Sequence, residues 1–394
     1  MDGLQALWGF GIAALVALLA TPLAGRASVL LGAVDQPKER GLHDRPMPRM
    51  GGPAILLAVL VGAAPFLLPG TAQTRAILVG AIVITAVGAL DDALDLGAAF
   101  KLAGQLAAAA IPVLSGVFVD HFTLPLLGRV EMGQGVGSAV TVIGIVAVMN
   151  MVNFSDGVDG LAAGVCAIAA VTFALIAVSL SRYGAGVLAA ATAGAAAGFL
   201  WHNFHPAKVF MGDSGSNLLG LLLACVAIQG VLKTAAVVAL AFPLMILAVP
   251  LLDTGFVVAK RIKYRRPVYR ADDWHFHHRF ANIGFSQRRT VLYLYGWTLA
   301  LAALALALRF VPYSDDHGDF DAAWTSLLGA FGAIAVAASV YLVYVLEILK
   351  FRRFRERQLR RVAAHDGGHP TEAEIDAEIE REVETGEFEA VARE

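Results

Sequence analysis

About eleven stretches of this chain are apolar for long enough to cross a lipid bilayer, and that pattern constrains the fold more than any other feature. They lie near residues 4–25, 50–69, 75–90, 102–119, 137–153, 160–181, 184–201, 217–232, 234–258, 290–310 and 324–349. A spanning helix needs about 20 mostly apolar residues, and a chain inside hydrocarbon must satisfy its own backbone polar groups. The expected fold class is therefore an all-α polytopic membrane protein with about eleven transmembrane helices. Composition agrees: 58% of residues are hydrophobic, 16% are charged, and mean hydropathy is +0.68. No soluble domain of this size needs so much apolar surface. The third and eighth runs are short. The seventh is rich in Ala and Gly, which suits close helix packing in lipid. Pro243 and Pro250 predict a kink or break in the ninth.

Eleven spans put the termini on opposite sides. Of the 30 Lys and Arg residues, all but Arg75, Arg129, Arg182, Lys233 and Arg309 fall in the connections on one side or in the tail. The basic side is cytoplasmic, which places the N-terminus outside and the C-terminus in the cytoplasm. No Lys or Arg precedes the first apolar run, so that run is expected to stay as a helix rather than act as a cleaved signal. The membrane domain is expected over 1–349 and a charged cytoplasmic tail over 350–394. Residues 350–361 are basic, which suits an anionic inner leaflet. Residues 371–394 are acidic and can form a polar helix. Residues 120–136 alternate weakly and predict a short hairpin. Net charge is −2, which says nothing about nucleic acid, and no nucleic-acid partner is expected. Cys166 and Cys225 fall in apolar runs and read as small core residues.

The polar clusters rich in functional groups all fall on the basic side. One runs from Asp35 through His43 to Gly51-Gly52. The next is Asp91-Asp92-Ala-Leu-Asp95 with Lys101, where the third apolar run stops. Then come Asn150-Met-Val-Asn153-Phe-Ser-Asp156-Gly-Val-Asp159-Gly-Leu161, Gly212-Asp213-Ser-Gly-Ser216, and Asp272-Asp273-Trp274-His275-Phe-His277-His278-Arg279. Carboxylates at membrane depth are costly and mark function by default. Clusters on one face suggest one site where helices leave the bilayer. Carboxylates and amides without Cys favour a hard cation such as Mg²⁺ and argue against zinc or iron–sulfur. Backbone N–H groups opening a helix at Gly212–Ser216 can hold a phosphate, and Lys101 and Arg279 add cations suited to phosphate oxygens. Magnesium, phosphate and a lipid-facing site together indicate phosphoryl transfer to or from a lipid. Each cluster also has a plainer reading: amides joining helices, Asp-Gly turns and helix caps, interfacial histidines. A rival class is a transporter moving Mg²⁺ or protons, but the acids stand at run ends and no repeat is evident.

In this order and spacing, the motifs resemble the polyprenyl-phosphate N-acetylhexosamine-1-phosphate transferases (glycosyltransferase family 4). The resemblance covers about residues 30–300, includes Pro250-Leu-Leu-Asp253-Thr254, and leaves the acidic tail outside. It implies transfer of a sugar-1-phosphate from a UDP-sugar to undecaprenyl phosphate in a bacterial plasma membrane. UMP is released and a first lipid-linked intermediate of a cell-envelope polymer is formed. The His-Phe-His-His-Arg spacing looks like the branch using UDP-N-acetylglucosamine. The alternative branch, phospho-N-acetylmuramoyl-pentapeptide transferase, typically shows three consecutive histidines. By the same resemblance Asp213 and Asn153 hold Mg²⁺, with Mn²⁺ as a substitute. Asp91, Asp92, Lys101, His275, His277 and His278 are candidate catalytic residues. Asn150, Asp156, Asp159, Arg279 and His43 are candidate substrate-binding residues, with Asp95 a support for its loop. A homodimer is left open.

Overall fold

The computed structural model describes residues 3–36, 46–68, 70–124, 128–232, 286–312 and 321–344, with scattered positions in 247–255 and 356–381. Among them are ten α-helices: α1 (Gly3–Leu30), α2 (Gly51–Leu67), α3 (Ala72–Leu94), α4 (Ala98–Leu114), α5 (Gly133–Ser155), α6 (Leu161–Ser179), α7 (Tyr183–Asn203), α8 (Gly212–Ala227), α9 (Gln287–Phe310) and α10 (Ala322–Tyr344). A π-helical turn, Ile228–Leu232, ends α8. Seven of the described helices are long and apolar enough to cross a membrane, and α2 and α4 are shorter apolar helices. The ninth expected run, with Pro243 and Pro250, falls almost wholly outside the described residues.

Two compact units are distinguished. The larger comprises Met1–Thr254 and Val291–Leu328, the smaller Gly255–Thr290 and Gly329–Glu394. The expected boundary at 349/350 lies outside the described residues. In the smaller unit, Thr371 and Glu374 form a capping box. Glu374 accepts from the Thr371 N–H at 2.8 Å, and the Thr371 hydroxyl accepts from the Glu374 N–H at 3.4 Å. Glu374, Ile375, Ala377, Glu378 and Arg381 behind it are helical.

In the larger unit α8 is the central helix. Every residue from Ser214 to Ala227 is buried, and α2, α3, α4, α5, α6 and α7 all pack against it. Small residues allow the closest approaches, because lipid offers no hydrophobic gain for bringing apolar helices together and packing must do it. The Ala/Gly-rich α7 presents Gly194 and Gly198 to the backbone carbonyls of Phe10 and Ala14 on α1. Around α8, a Cβ on Gly88 of α3 would overlap the Ser214 backbone, and one on Gly52 of α2 would overlap Gly215 and Ser214. Cys166 and Cys225 are buried and unpaired in a disulfide.

Among the described residues, two small two-stranded sheets accompany the helices. Val34–Asp35 (β1) pairs antiparallel with Met47–Pro48 (β2), a pairing that the sequence pattern does not announce. His121–Leu124 (β3) pairs with Gly128–Glu131 (β4), the hairpin expected over 120–136. The backbone just past β2 docks beside the start of α8: Phe210 N–H donates to Pro48 O (2.7 Å), Gly51 N–H to Phe210 O (3.0 Å) and Gly52 N–H to Met211 O (3.0 Å).

Helix bounds shift where it matters. α3 runs one turn past its apolar stretch, so Asp91 and Asp92 lie on the helix and are 5% and 6% exposed. Asp95 ends it in the left-handed conformation (φ 51°), its N–H returning to Asp91 O. α4 begins at Ala98, which puts Lys101 in its first turn. At the other end of the unit, Arg309 Nε and Nη2 donate to the Ser179 hydroxyl and carbonyl (2.9 and 3.0 Å), capping α6.

Gly88→Ala and Gly52→Ala should each destabilise the protein by about 1–3 kcal/mol through overpacking against α8. Gly11→Ala, where nothing lies within 4 Å, should leave stability unchanged or slightly raised. Thermal unfolding in detergent measures the difference.

Candidate active site

The C-terminal ends of α3, α5 and α7 and the N-terminal ends of α4, α6 and α8 gather at one end of the larger unit, and the described motif residues on these elements meet there. Lys101 stands at the centre. Its Nζ donates to Asp91 Oδ2 at 2.6 Å and to Asp213 Oδ2 at 3.1 Å. One ammonium thus joins α3, α4 and α8. Asp91 Oδ1 accepts from the Leu96 N–H (2.9 Å), closing the turn between α3 and α4.

Asp92 does something different from its neighbour. Its Oδ1 accepts from the Asp213 N–H (2.8 Å). Its Oδ2 accepts from the Ser214 N–H (3.2 Å) and from the Ser214 hydroxyl (2.8 Å). These N–H groups open α8 and have no partner within that helix. A carboxylate there also meets the positive end of the helix dipole. Asp92 is therefore an N-cap supplied by another helix.

Asn153 completes the upper polar layer. Its Nδ2 donates to Asp213 Oδ1 (3.0 Å) and to Ser216 Oγ (2.9 Å). A second layer lies one helical turn deeper. Gln105 follows Lys101 by four residues, Asn217 follows Asp213 by four, and Asn150 precedes Asn153 by three. Gln105 Nε2 donates to Asn217 Oδ1 (2.7 Å), Asn150 Nδ2 to Gln105 Oε1 (2.9 Å) and to Val146 O (2.8 Å), and Asn217 Nδ2 to Asp213 O (2.8 Å). Asn150 thus joins helices at this depth, the plainer of its two readings. Gln105 and Asn217 carry no signal beyond their spacing on the motif helices, and only the structure brings them in; Ser214 and Ser216 stand inside the Gly212–Ser216 motif, and the structure shows what their side chains do.

The loop between α5 and α6 carries Asp156 and Asp159. Asp159 Oδ2 accepts from His205 Nδ1 (2.8 Å) and the Ala207 N–H (3.0 Å), which ties it to the α7–α8 connection. Asp156 is half-buried just past the end of α5. Burial, and then the negative charges of Asp213 and Asp92, hold its carboxyl well above the ordinary carboxylate range; Asp159 adds to this and Arg49 opposes it. Arg49, brought in by the β1–β2 pair and 3.9 Å from Asp35, was not expected from the motifs. His43, His275, His277, His278 and Arg279 lie outside the described residues, as do Asp253 and Thr254.

The donor set fits a hard divalent cation in kind. Carboxylates outnumber cations among the described residues here, and the charges of Asp213 and Asp92 add to burial in raising Asp156. Among the described residues no three His, Cys, Asp or Glu side chains converge as a ready-made cage. Mg²⁺ in general takes one or two carboxylates and completes its shell with water and substrate phosphates. Asp213 lies between Lys101 and Asn153, each of its carboxylate oxygens accepting from one of them.

Comparison with known proteins decides the family. Glycosyl transferase family 4 matches residues 74–231, the span from α3 through the π-helical turn. A probable undecaprenyl-phosphate N-acetylglucosaminyl 1-phosphate transferase of Bacillus subtilis is 38% identical over 300 residues, covering 75% of this chain and 84% of its own. The chain belongs to glycosyl transferase family 4. A decaprenyl-phosphate N-acetylglucosaminephosphotransferase of Mycobacterium leprae is 40% identical over 331 residues, covering 76% of this chain and 82% of its own. A phospho-N-acetylmuramoyl-pentapeptide-transferase of Desulforudis audaxviator is 36% identical over 301 residues, covering 68% and 86%. Within this family the protein is a multi-pass membrane enzyme of the polyprenyl-phosphate sugar-phosphate transferase type.

Two outcomes test the geometry. Asp92→Ala leaves the N–H groups that open α8 without their acceptor and should lower stability by on the order of 1–3 kcal/mol; Asp92→Asn, which keeps one acceptor oxygen, should lower it less. Asp156 binds its proton more tightly folded than unfolded, so the wild type loses stability as pH rises from the ordinary carboxylate range towards the raised folded pKa. Asp156→Asn lacks this dependence. In metal-free buffer its melting temperature should match the wild type near pH 4 and exceed it at pH 8.

Proposed function

We propose that the protein transfers N-acetylglucosamine 1-phosphate from UDP-N-acetylglucosamine to undecaprenyl phosphate on the cytoplasmic face of the membrane. UMP is released and the first lipid-linked intermediate of an envelope polysaccharide is formed. The observation that carries this reading is Lys101 Nζ held between Asp91 of one motif and Asp213 of another. A single cation so placed can serve two phosphates at once, one from each substrate. The relatives named for N-acetylglucosamine transfer support the choice of donor, covering 75% and 76% of the chain against 68% for the pentapeptide-transferase relative. The His275-Phe-His277-His278-Arg279 spacing points the same way.

In the reaction an oxygen of the lipid phosphate attacks the β-phosphorus of the UDP-sugar, and the bond from that phosphorus to the UMP oxygen breaks. A phosphate monoester has its second pKa near ~6 and is largely dianionic at neutral pH. Little proton is left for a base to remove, so positioning and charge compensation dominate. Asp91 keeps Lys101 protonated and aimed, and Lys101 draws the lipid phosphate in against the repulsion of the carboxylates. Asp92 fixes the start of α8 and with it Asp213. Asp213 and Asn153 would hold Mg²⁺, which when bound offsets the charge of the donor's diphosphate. Asp156 and Asp159 border the uridine end. His275, His277, His278 and Arg279 complete the diphosphate side by resemblance. Direct attack is favoured over a phospho-enzyme on Asp91, whose two oxygens already accept from Lys101 and Leu96.

Purified protein in detergent with Mg²⁺, UDP-N-acetylglucosamine and undecaprenyl phosphate should release UMP, and EDTA should stop it. Asp213→Ala should lower turnover by at least about 100-fold, the scale of removing a preorganised charge-stabilising group. Wild-type-like turnover in that variant would remove Asp213 from the metal role. Release of UMP only with UDP-N-acetylmuramoyl-pentapeptide would favour the alternative donor.

A further inference from the structure

Tyr295 lies outside every motif, yet its hydroxyl donates to the carbonyl of Gly160 at 2.5 Å. Gly160 closes the acidic loop that begins at Asp156, and its backbone is in the left-handed region (φ 80°) that suits glycine. The N–H of the same residue donates to Asn203 Oδ1 at 3.0 Å, and Asn203 Nδ2 donates to Val209 O at 3.0 Å. Both polar groups of one peptide position are therefore held by side chains from two other helices, α9 and α7. The phenol ring also has a built seat. Gly164 sits so close beneath it that any Cβ there would overlap the ring and its hydroxyl. The loop is tied a third time by Asp159 to His205 and Ala207.

We propose that Tyr295 is a positioning residue for the nucleotide donor. Its hydroxyl, with Asn203, clamps Gly160 and thereby fixes Asp156 and Asp159 at the uridine end of the site. The reason is geometric. A loop of two Asp-Gly pairs is intrinsically loose, and the charges of Asp213 and Asp159 act against ionisation of Asp156 within it. Left to itself it would spread. The Gly160 carbonyl already accepts the first α6 bond from the Gly164 N–H (3.0 Å), and the Tyr295 hydroxyl adds a long-range bond that ties it to α9 before the donor arrives, so binding need not supply that ordering. α9 is also the helix into which the His275–Arg279 segment leads in sequence, so one contact links the helix after the last motif to the loop of an earlier one. The acceptor side, Asp91 with Lys101, has no contact with this clamp among the described residues. The inference rests on the reading that the 156–160 loop faces the donor.

Tyr295→Phe keeps the ring over Gly164 and removes only the hydroxyl. The KM for UDP-N-acetylglucosamine should rise about 3- to 10-fold, the scale of one neutral hydrogen bond. The KM for undecaprenyl phosphate should stay within about twofold, inside the range of that same bond energy, and the melting temperature should hardly move. UMP affinity by calorimetry should weaken by the same factor as the donor KM. Gly164→Ala, which evicts the ring, should reproduce the donor-side loss and also lower stability. Unchanged donor KM and UMP affinity in an active Tyr295→Phe protein would overturn the clamp. So would equal rises for both substrates with a lowered melting temperature, which would assign Tyr295 to general packing. Failure of the wild type to turn over any UDP-sugar would instead strike the functional reading, and weakened UMP binding in Tyr295→Phe would then still support the clamp.

Discussion

The carboxylate of Asp92 sits on the N-terminus of α8, and the remainder of the site is arranged around that contact. A helix opening leaves N–H groups without partners, and inside a bundle no water replaces them. Asp92 satisfies those of Asp213 and Ser214 from the neighbouring helix. The approach is possible because Gly88 and Gly52 present no side chain to the first turn of α8. Once α8 is seated, Asp213 projects between Lys101 and Asn153, and the amides of Gln105, Asn150 and Asn217 hold the same helices one turn deeper. Two adjacent aspartates thus have separate duties. Asp92 builds the site, while Asp91 orients the cation within it.

Charge balance explains the rest of the geometry. Asp91, Asp92, Asp156, Asp159 and Asp213 lie among few cations, of which Lys101 and Arg49 are described. Burial raises the Asp156 carboxyl, and the negative charges of Asp213 and Asp92 raise it further. A site this negative repels phosphate unless a cation compensates, and on the proposed function this would favour entry of metal and donor before the lipid phosphate. Lys101 suits a role between two phosphates because an ammonium is a compact point charge on a flexible stem, able to shift between Asp91 and Asp213 as substrates arrive.

The apolar runs made most of the helices legible, since hydrocarbon leaves a spanning chain little else to form. The Gly and Ala of α7 likewise announced its close packing against α1. The motifs made Asp91, Lys101, Asn153 and Asp213 legible as one site, because their run ends fall on one side. Periodicity of apolar residues could not show that α3 continues through Asp91 and Asp92, since a helix turn stabilised by tertiary hydrogen bonds needs no apolar face. Nor could it separate the two aspartates, whose difference lies wholly in which partner each meets. Gln105, Asn217 and Tyr295 were invisible for the same reason: each is an ordinary residue in an apolar run until another helix is placed beside it. Arg49 depends on a two-residue strand pair too short to leave a pattern.

A structure of the protein with UDP-N-acetylglucosamine and Mg²⁺ bound, determined by electron cryomicroscopy in a lipid nanodisc, tests the central claim most directly. The expected result is a diphosphate within hydrogen-bonding reach of Lys101 Nζ, the metal on Asp213, and Asp92 still capping α8. A nucleotide whose phosphates lie away from both Lys101 and Asp213, or an Asp92 released from α8 to meet substrate, would contradict it.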